Sequence, residues 1–326
     1  MFRVFHSFAE LEDEPKACAL TIGNFDGVHE GHRRIMREVV ELGNSRQLIP
    51  SVLTFHPHPA KVVAPARAPR LLSTPEERFE LMRQTGIQQV FVLPFDKQFS
   101  ELSPHDFVKQ ILVCGLNAKA ILVGANFRFG NRAAGNTDLL RELGERYGFL
   151  VGVIEGVTVR GREVSSTEVR RLVRQGAVSM ACRLLGRPYA VEGVVVRGHG
   201  IGAKQTVPTL NLDTKAEILP ANGVYITRTT DLDSGVEFPS ITNIGVRPTF
   251  NGDALTVETF LLAPLDGRTL SEIRVAFLRR VRDEKKFDSA ESLKAQIMKD
   301  VGRAQAYFRR ILKLTPPRRE ARSESL

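Results

Sequence analysis

Hydrophobic and polar residues follow two alternating patterns along the first half of this chain. Short apolar runs such as ACALTI and QLIPSVLTF are typical of buried strands, whereas HRRIMREVVELG has helical apolar spacing and ends at Gly43. The segment TPEERFELMRQTG predicts a complete helix, because Thr74 can serve as the N-cap, Pro75 suits the first helical position and Gly86 suits the end. The two patterns alternate to about residue 185, so we predict a parallel sheet with helices on both faces.

Short β-rich runs replace this alternation beyond residue 185. The runs VEGVVV, TLNL, GVYITRTT, ITNIG, LTVETFLL and EIRVAFL are separated by Gly, Asn, Asp and Pro, which indicates a small antiparallel barrel or sandwich. The segment ESLKAQIMKDVGRAQAYFRRIL then predicts one long amphipathic helix. We therefore predict an α/β chain with a parallel-sheet domain at residues 1–184, a barrel domain with a terminal helix at 185–310, and a flexible basic tail at 311–326.

Composition and charge narrow the class of protein. The 326 residues contain no apolar run long enough to cross a membrane, the N-terminus lacks a signal-peptide core, and the three cysteines form no CxxC pair. We therefore expect a cytoplasmic protein with no membrane partner. The net charge of +9 favours an anionic partner, either nucleic acid or a phosphate-rich small molecule. The absence of tryptophan and of any run of aromatic residues between basic ones disfavours nucleic acid, and homo-oligomerisation stays open.

The stretch GNFDGVHEGH at residues 23–32 joins the first predicted strand to the first predicted helix. Ligands bind at such turns in doubly wound sheets, because helix N-terminal amides favour anions and glycines let the backbone approach the ligand. His29 and His32 are three positions apart, so they share a face of a helical turn and could together hold a triphosphate. Metal ligation and a purely structural role remain alternatives, although no further clustered ligand follows nearby.

Three later stretches carry polar residues where predicted strands end or helices begin. TFHPHP, at residues 54–59, ends a strand, and its histidines are equally consistent with plain loop residues. VGANFRFG, at 123–130, ends another strand, and its aromatic pair suits either a core or the face of a flat ligand. VSSTEVRR, at 164–171, is either an N-cap followed by a solvated basic face or a second phosphate clamp.

In this order, GNFDGVHEGH, TFHPHP, VGANFRFG and VSSTEVR resemble the FMN adenylyltransferase module of bacterial bifunctional riboflavin kinase/FAD synthetases. The first stretch alone resembles the HxGH signature of nucleotidylyltransferases. The resemblance implies a Rossmann-like nucleotidylyltransferase fold, ATP as co-substrate and Mg²⁺ bridging the phosphates. It also implies that His29 and His32 are catalytic and contact the ATP phosphates, and that Phe129 lies near the flavin. Other residues implied in nucleotide binding are Gly23, Phe25, Asp26, Asn126 (often Asp in such enzymes), Ser166, Thr167 and Arg170.

The stretch GHGIGAKQTVPTLNL at residues 198–212 is the richest in the second half. Its glycines, Gly202 among them, predict a flexible loop in which Lys204 could meet a phosphate. Thr209 and Asn211 are two apart on a predicted strand and so share a face, where their oxygen atoms suit Mg²⁺ held with nucleotide phosphates. A glycine-rich turn followed by a strand explains the same pattern without any ligand.

A single carboxylate interrupts the apolar run LTVETFLL. Strand alternation places Glu258 on one face with Phe260 and Leu262, and the residues between them on the other face. Glu258 is therefore either a candidate general base or an ordinary edge-strand glutamate.

PTLN, GVY (223–225), NIGVRPTF (243–250), the Glu258 strand and RDEKKF (282–287) resemble the riboflavin kinase module of the same bifunctional family. The resemblance implies a six-stranded antiparallel barrel with a C-terminal helix. It implies that Thr209 and Asn211 bind Mg-ATP, that Glu258 activates the ribityl hydroxyl of riboflavin, and that Arg282 lies near the flavin.

The chain departs from the kinase pattern in two loops. Thr206-Val207 stands where such kinases usually have Gly-Phe or Gly-Tyr, and APLDGRTLSE at residues 263–272 stands where they usually carry an acidic residue and a Tyr-Gly pair. The implied function is the formation of FMN from riboflavin and of FAD from FMN. Two rival hypotheses are a nucleotidylyltransferase that acts on another phosphorylated substrate, and a nucleic-acid-binding protein suggested only by the basic charge and tail.

Overall fold

The computed structural model describes residues 1–11, 15–196, 209–249 and 252–314. In this part of the chain, strands and helices alternate first, and strands alone then follow up to one terminal helix, as predicted. The strands are β1 (Arg3–Phe5), β2 (Cys18–Ile22), β3 (Ile49–His56), β4 (Gln89–Pro94), β5 (Ala118–Gly124), β6 (Leu150–Ile154), β7 (Thr158–Val159), β8 (Arg162–Glu163), β9 (Tyr189–Val196), β10 (Thr209–Asp213), β11 (Gly223–Asp231), β12 (Glu237–Thr249), β13 (Gly252–Leu261) and β14 (Glu272–Arg282). The helices are α1 (Glu30–Arg46), α2 (Pro59–Val63), α3 (Pro75–Arg83), α4 (Lys97–Ser100), α5 (Pro104–Asp106), α6 (Thr137–Tyr147), α7 (Ser166–Arg174), α8 (Val178–Leu185) and α9 (Ala290–Leu314).

The N-terminal sheet is parallel and has the strand order β1-β4-β3-β2-β5-β6. From β2 the chain crosses to β3 on one side, and later returns to β5 on the other side. This reversal opens a crevice at the carboxyl ends of β2 and β5, which is where ligands bind in open α/β sheets. The loops that follow these two strands contain the first and third stretches singled out in the sequence.

Both faces of this sheet are covered by apolar side chains, as expected for parallel strands. Leu20 and Leu53 pack into the core on one face, whereas their neighbours Ala19 and Val52 pack into the core on the other. The sheet that carries these loops therefore has an apolar core on each of its faces.

Several helix boundaries follow the capping signals in the sequence. The Thr74 hydroxyl accepts a hydrogen bond from the Glu77 amide at the start of α3, as the capping pattern predicts. Ser103 caps α5 in the same way, but the helix then continues as a π-helix from Phe107 to Gly115. The edge strand β1 was not predicted, because its three residues are too few to show a period.

The second half forms a closed antiparallel barrel with the strand order β10-β13-β12-β11-β14-β9. The prediction of a barrel is thus confirmed, and the sandwich alternative was wrong. The interior includes the fully buried hydroxyls of Thr227, Ser240, Thr242 and Thr259. The outer face at Val224, Ile226 and Ile241 is covered by α9 through Ala304.

The chain divides into two compact units. The first comprises residues 1–170 and 184–186, and the second comprises 171–183 and the described residues from 187 onward. The predicted domain boundary at 184/185 lies in the segment where the chain alternates between the units. Residues 311–314 of the predicted tail belong to α9, and residues 315–326 lie outside the described part of the chain. None of the helices among the described residues is long and apolar enough to span a membrane.

Candidate active sites

The loop between β2 and α1 carries the predicted histidine pair. His29 is the N-cap of α1, and its Nδ1 atom accepts a hydrogen bond from the His32 amide at 3.3 Å. The two imidazole rings stack with centroids 3.5 Å apart and planes 19° from parallel, so they share a face as predicted. Gly31 leaves room for this arrangement, because a Cβ atom there would lie 3.2 Å from the His29 ring. The pair therefore lies at the N-terminus of α1, where helix amides favour anions.

The surroundings of His32 keep its imidazole neutral. Its Nδ1 atom is out of contact with solvent and has no hydrogen-bond partner among the described residues. The Phe25 ring meets the His32 ring edge-on, with centroids 5.1 Å apart. Burial, and then the nearby His29, Arg170 and Arg78, hold the pKa of His32 well below its usual 6.5. A neutral imidazole offers one hydrogen-bond donor and one acceptor to a ligand.

The Asp26 carboxylate ties this loop to two other segments. It is 2% exposed and accepts hydrogen bonds from the Leu72 amide at 2.9 Å and from the Ser73 amide and hydroxyl, each at 3.3 Å. Arg170 donates to its other oxygen at 2.6 Å. Ser166 Oγ donates to the Asp26 backbone carbonyl at 2.9 Å. The structure thus brings three predicted residues together, while contact between Asp26 and a nucleotide stays a prediction.

Arg78 joins the same cluster from α3, and no prediction from the sequence included it. Its side chain is 3% exposed, and its Nη1 donates to the Asn24 carbonyl at 2.7 Å. His58, in the TFHPHP stretch, caps α2 through its Nδ1 atom. Burial lowers the pKa of His58, and Arg170 and Arg78 add to this effect against the opposing charge of Asp26. Two guanidinium groups, one carboxylate and three imidazoles are therefore grouped around the loop.

The loop after β5 separates its two predicted residues. Asn126 is exposed, and its Oδ1 lies close to the Gly124 backbone. Phe129 is 6% exposed, and it stacks on Phe127 with centroids 5.5 Å apart and contacts Phe107 at 5.8 Å. Phe129 therefore occupies a core position, and its proximity to a flavin stays a prediction, as does the role of Asn126.

Gly23 and Thr167 complete the predicted residues of the first unit. The Gly23 amide donates to the Leu53 carbonyl at 3.0 Å, and a Cβ atom at this glycine would lie 3.0 Å from the Phe25 ring. The close approach explains why glycine follows β2. Thr167 is exposed in the first turn of α7. The roles of both residues in nucleotide binding stay predictions.

A row of polar side chains crosses the outer face of the barrel. Asn211 on β10 pairs in register with Glu258 on β13, and Glu258 pairs with Asn243 on β12. The row continues through Val224 on β11 to Arg282 on β14. Residues directly opposite in antiparallel strands point to the same face, with Cβ atoms about 4.5–5.5 Å apart. One carboxylate therefore lies between two side-chain amides.

An open cavity of about 660 Å³ covers most of this row. Glu258 lines the cavity with Phe260, whereas Val257 and Thr259 are buried in the barrel, so the alternation predicted for LTVETFLL is confirmed. Residues of α9 and of the segment that follows β14 form part of its wall. Its lining is Thr209, Val224, Ile241, Asn243, Glu258, Phe260, Arg282, Glu284, Lys285, Phe287, Asp288, Ser289, Leu293, Ile297 and Asp300.

The predicted metal ligands suit Mg²⁺ by chemistry. Thr209 and Asn211 lie two apart on β10, so they share a face, and Thr209 lines the cavity. A hydroxyl and an amide oxygen are hard donors, and Mg²⁺ commonly takes one or two protein ligands together with phosphates and waters. Among the described residues, no group of three or more His, Cys, Asp or Glu side chains could hold a metal ion. The predicted loop residues Gly202 and Lys204 lie outside the described residues.

Comparison with known proteins assigns a family to each half of the chain. The family model described as FAD synthetase matches residues 11–168, and the one described as riboflavin kinase matches residues 185–308. A bifunctional riboflavin kinase/FMN adenylyltransferase of Escherichia coli K12 is 34% identical over 94% of this chain and 97% of its own length. The chain belongs to this family. A further member, from Pseudomonas fluorescens, is 36% identical over 91% of this chain and 94% of its own length. Another, from Haemophilus influenzae, is 33% identical over 90% of this chain and 95% of its own length.

A solved structure has the same fold over nearly the whole of this bifunctional kinase/adenylyltransferase family member. It is a crystal structure described as a macrolide-efflux protein from Streptococcus pneumoniae, with a TM-score of 0.83 and 24% sequence identity over 93% of this chain and 98% of that one. At this identity the likeness concerns the fold alone.

Proposed function

We propose that this bifunctional kinase/adenylyltransferase family member catalyses two successive ATP-dependent reactions. The barrel domain, residues 185–310, phosphorylates riboflavin to FMN and releases ADP. The parallel-sheet domain, residues 1–184, transfers AMP from a second ATP to FMN, giving FAD and pyrophosphate. One observation carries the proposal: each of the two family matches contains a group of polar side chains suited to its reaction. The FAD synthetase match contains the stacked rings of His29 and His32, and the riboflavin kinase match contains the row Asn211–Glu258–Asn243.

In the kinase reaction, Glu258 acts as the general base. It accepts the proton of the ribityl hydroxyl while that oxygen attacks the γ-phosphorus of ATP and the bond to ADP breaks. Asn243 and Asn211 flank Glu258 in register and hold the reacting groups on the outer face of the barrel. Thr209 and Asn211 would hold Mg²⁺, whose chemistry when bound is to neutralise phosphate charge. The apolar Phe260 and Ile241 exclude water from the attacking hydroxyl.

In the adenylyl transfer, a phosphate oxygen of FMN attacks the α-phosphorus of ATP and the bond to pyrophosphate breaks. The attacking phosphate is already ionised, so this step requires no general base. The residues at the N-terminus of α1 stabilise the charge that develops on the phosphates: His29 and the neutral ring of His32 donate hydrogen bonds, and Arg170 lies beside them. Asp26 acts by positioning, because it holds Arg170 and the 70–73 segment against the loop.

A cytoplasmic setting suits both reactions. Cys18, Cys114 and Cys182 are free thiols, and Cys114 is exposed, which is typical of a reducing compartment. ATP is also the co-substrate of both reactions.

The experiment that tests this function incubates the purified full-length chain with riboflavin, ATP and Mg²⁺ and separates the flavins. FMN should appear first, and FAD should follow. A Glu258→Gln variant should form no FMN from riboflavin but should still convert added FMN to FAD. If Glu258→Gln forms FMN as fast as the wild type, the barrel is not the kinase assigned here, and a nucleotidylyltransferase with another substrate becomes the better hypothesis.

A further inference from the structure

Asp300 is a buried carboxylate on α9 that lines the kinase cavity. It is 2% exposed, and its Oδ2 accepts a hydrogen bond from Arg282 Nε at 2.7 Å. Its Oδ1 accepts from Gln296 Nε2 at 3.0 Å, one turn earlier on the same helix. Arg303, whose side chain is 54% exposed, approaches Oδ1 at 3.8 Å from the solvent side. A charge this deeply buried is retained only with such partners, so Asp300 constrains Arg282 strongly.

The guanidinium group of Arg282 is held on two of its three nitrogen atoms. Nε donates to Asp300, and Nη1 donates to the Asp283 carbonyl at 2.9 Å. Nη2 has no hydrogen-bond partner among the described residues. Because the guanidinium is planar, fixing Nε and Nη1 also fixes the direction of the two Nη2 donors. The Phe287 ring lies 5.7 Å from the Arg282 Cζ atom and lines the same cavity.

The lining of the cavity indicates which group meets these donors. Phe260, Ile241 and Phe287 offer flat apolar surface, and four carboxylates face two cationic side chains. This excess of negative charge disfavours an anionic ligand beside Arg282. It suits an uncharged aromatic ring system that carries carbonyl acceptors. The isoalloxazine ring of riboflavin has these properties.

We propose that Asp300 is a positioning residue for the kinase reaction, an inference that rests on the function proposed above. Asp300 orients Arg282 so that its Nη2 donors bind a carbonyl oxygen of the flavin ring. The ring is then anchored at the Arg282 end of the row of side chains, and the ribityl chain extends along the row toward Glu258. The alternative is that Asp300 merely holds α9 against the barrel.

A double-mutant cycle on Arg282→Ala and Asp300→Ala separates these two roles. The full-length variants are assayed for FMN formation, and riboflavin binding without ATP is measured by quenching of its fluorescence. Asp300→Ala is expected to raise the riboflavin KM about tenfold or more and to weaken binding equally, while the ATP KM stays constant. If Asp300 acts through Arg282, the double variant will lose no more riboflavin affinity than Arg282→Ala alone.

Control variants keep the proposal falsifiable. Arg303→Ala removes the solvent-side partner of the same carboxylate and should leave the riboflavin KM unchanged. Conversion of added FMN to FAD measures the amount of folded enzyme. If Asp300→Ala does not fold, Asp300→Asn replaces it and should raise the riboflavin KM at least threefold. An unchanged riboflavin KM, or losses that add in the double variant, would overturn the positioning role; a wild type that binds riboflavin but forms no FMN would instead contradict the proposed function.

Discussion

The imidazole rings of His29 and His32 lie face to face, with their centroids 3.5 Å apart. Two protonated rings could not stack in this way without strong repulsion, and burial keeps the pKa of His32 well below 6.5. The buried His32 ring is therefore held as a neutral hydrogen-bonding group beside His29 at the N-terminus of α1. Positive charge comes from Arg170 and Arg78.

Substitutions in the two sites should separate the two reactions. His29→Ala removes one ring of the stacked pair and the N-cap of α1, so we expect FMN to accumulate and FAD formation to fall about 100-fold or more. Asn211→Ala removes an amide beside Glu258, so we expect loss of FMN formation with unchanged conversion of added FMN. Flavin separation after timed incubation measures both. Loss of the kinase reaction in His29→Ala, with FAD formation intact, would reverse the domain assignment.

Stability should fall as the pH drops below 6.5 because of His32. Its pKa is depressed in the folded chain, so the unfolded chain binds the proton first, and unfolding becomes easier as the pH falls from 6.5 toward the folded pKa. The slope is at most about 1.4 kcal/mol per pH unit for this group. Hydrogen exchange of α1 between pH 7 and 5, corrected for intrinsic rates, measures it.

His32→Gln should flatten this pH dependence, and the residual slope reflects His58, whose pKa is also lowered. The exposed His105→Gln serves as the matched control and should retain the wild-type slope. Equal slopes in wild type and His32→Gln would show that His32 is not held neutral.

Asp26→Asn should loosen the loop that carries the histidine pair. The change leaves Arg170 without its buried partner, and breaking one side of such a pair costs about 3–5 kcal/mol. We expect faster hydrogen exchange in residues 23–29 and 70–73, and slower FAD formation. Peptides from β11 provide an internal reference. Asp138→Asn, which breaks an exposed pair with Arg141, should change neither quantity, and protection of 23–29 as strong as in the wild type would contradict the clamp.

Thr227→Val should destabilise the barrel without weakening riboflavin binding. The Thr227 hydroxyl lies 2.8 Å from both Ser240 Oγ and Thr242 Oγ1, and all three are fully buried. Valine has the same shape but leaves two buried hydroxyls with one partner fewer, which costs about 1–3 kcal/mol. Hydrogen exchange of β11 and β12 measures the loss.

Thr230→Val, at a half-buried outer position of β11, is the matched control and should cost little. An increase in the riboflavin KM of Thr227→Val would show that the interior hydroxyls also shape the outer cavity.

The order of the elements could be predicted because the relevant signals are local. Thr74 and Ser103 cap helices within three residues of themselves, and the period of LTVETFLL identifies the face that carries Glu258. The position of the histidine pair followed from its place in the turn between the first predicted strand and the first predicted helix.

Other features depend on partners distant in the chain, which no local pattern reveals. The sequence shows Arg78 only as a polar position of a capped helix. In the structure its side chain is buried and donates a hydrogen bond to the carbonyl of Asn24, which lies 54 positions earlier in the chain. The sequence shows Asp300 only as a polar position of an amphipathic helix, whereas in the structure it lines the cavity and binds Arg282. Thr227 reads as solvent-facing, but closure of the barrel turns it inward.

The position of Asp300 has a consequence for synthesis of the chain. The adenylyl cluster is complete once Arg170 has been added, whereas the kinase cavity needs a side chain that is made 130 residues later. On the ribosome, the site proposed for the second reaction therefore emerges before the site proposed for the first. A nascent chain cannot complete the wall of the cavity until α9 has left the exit tunnel.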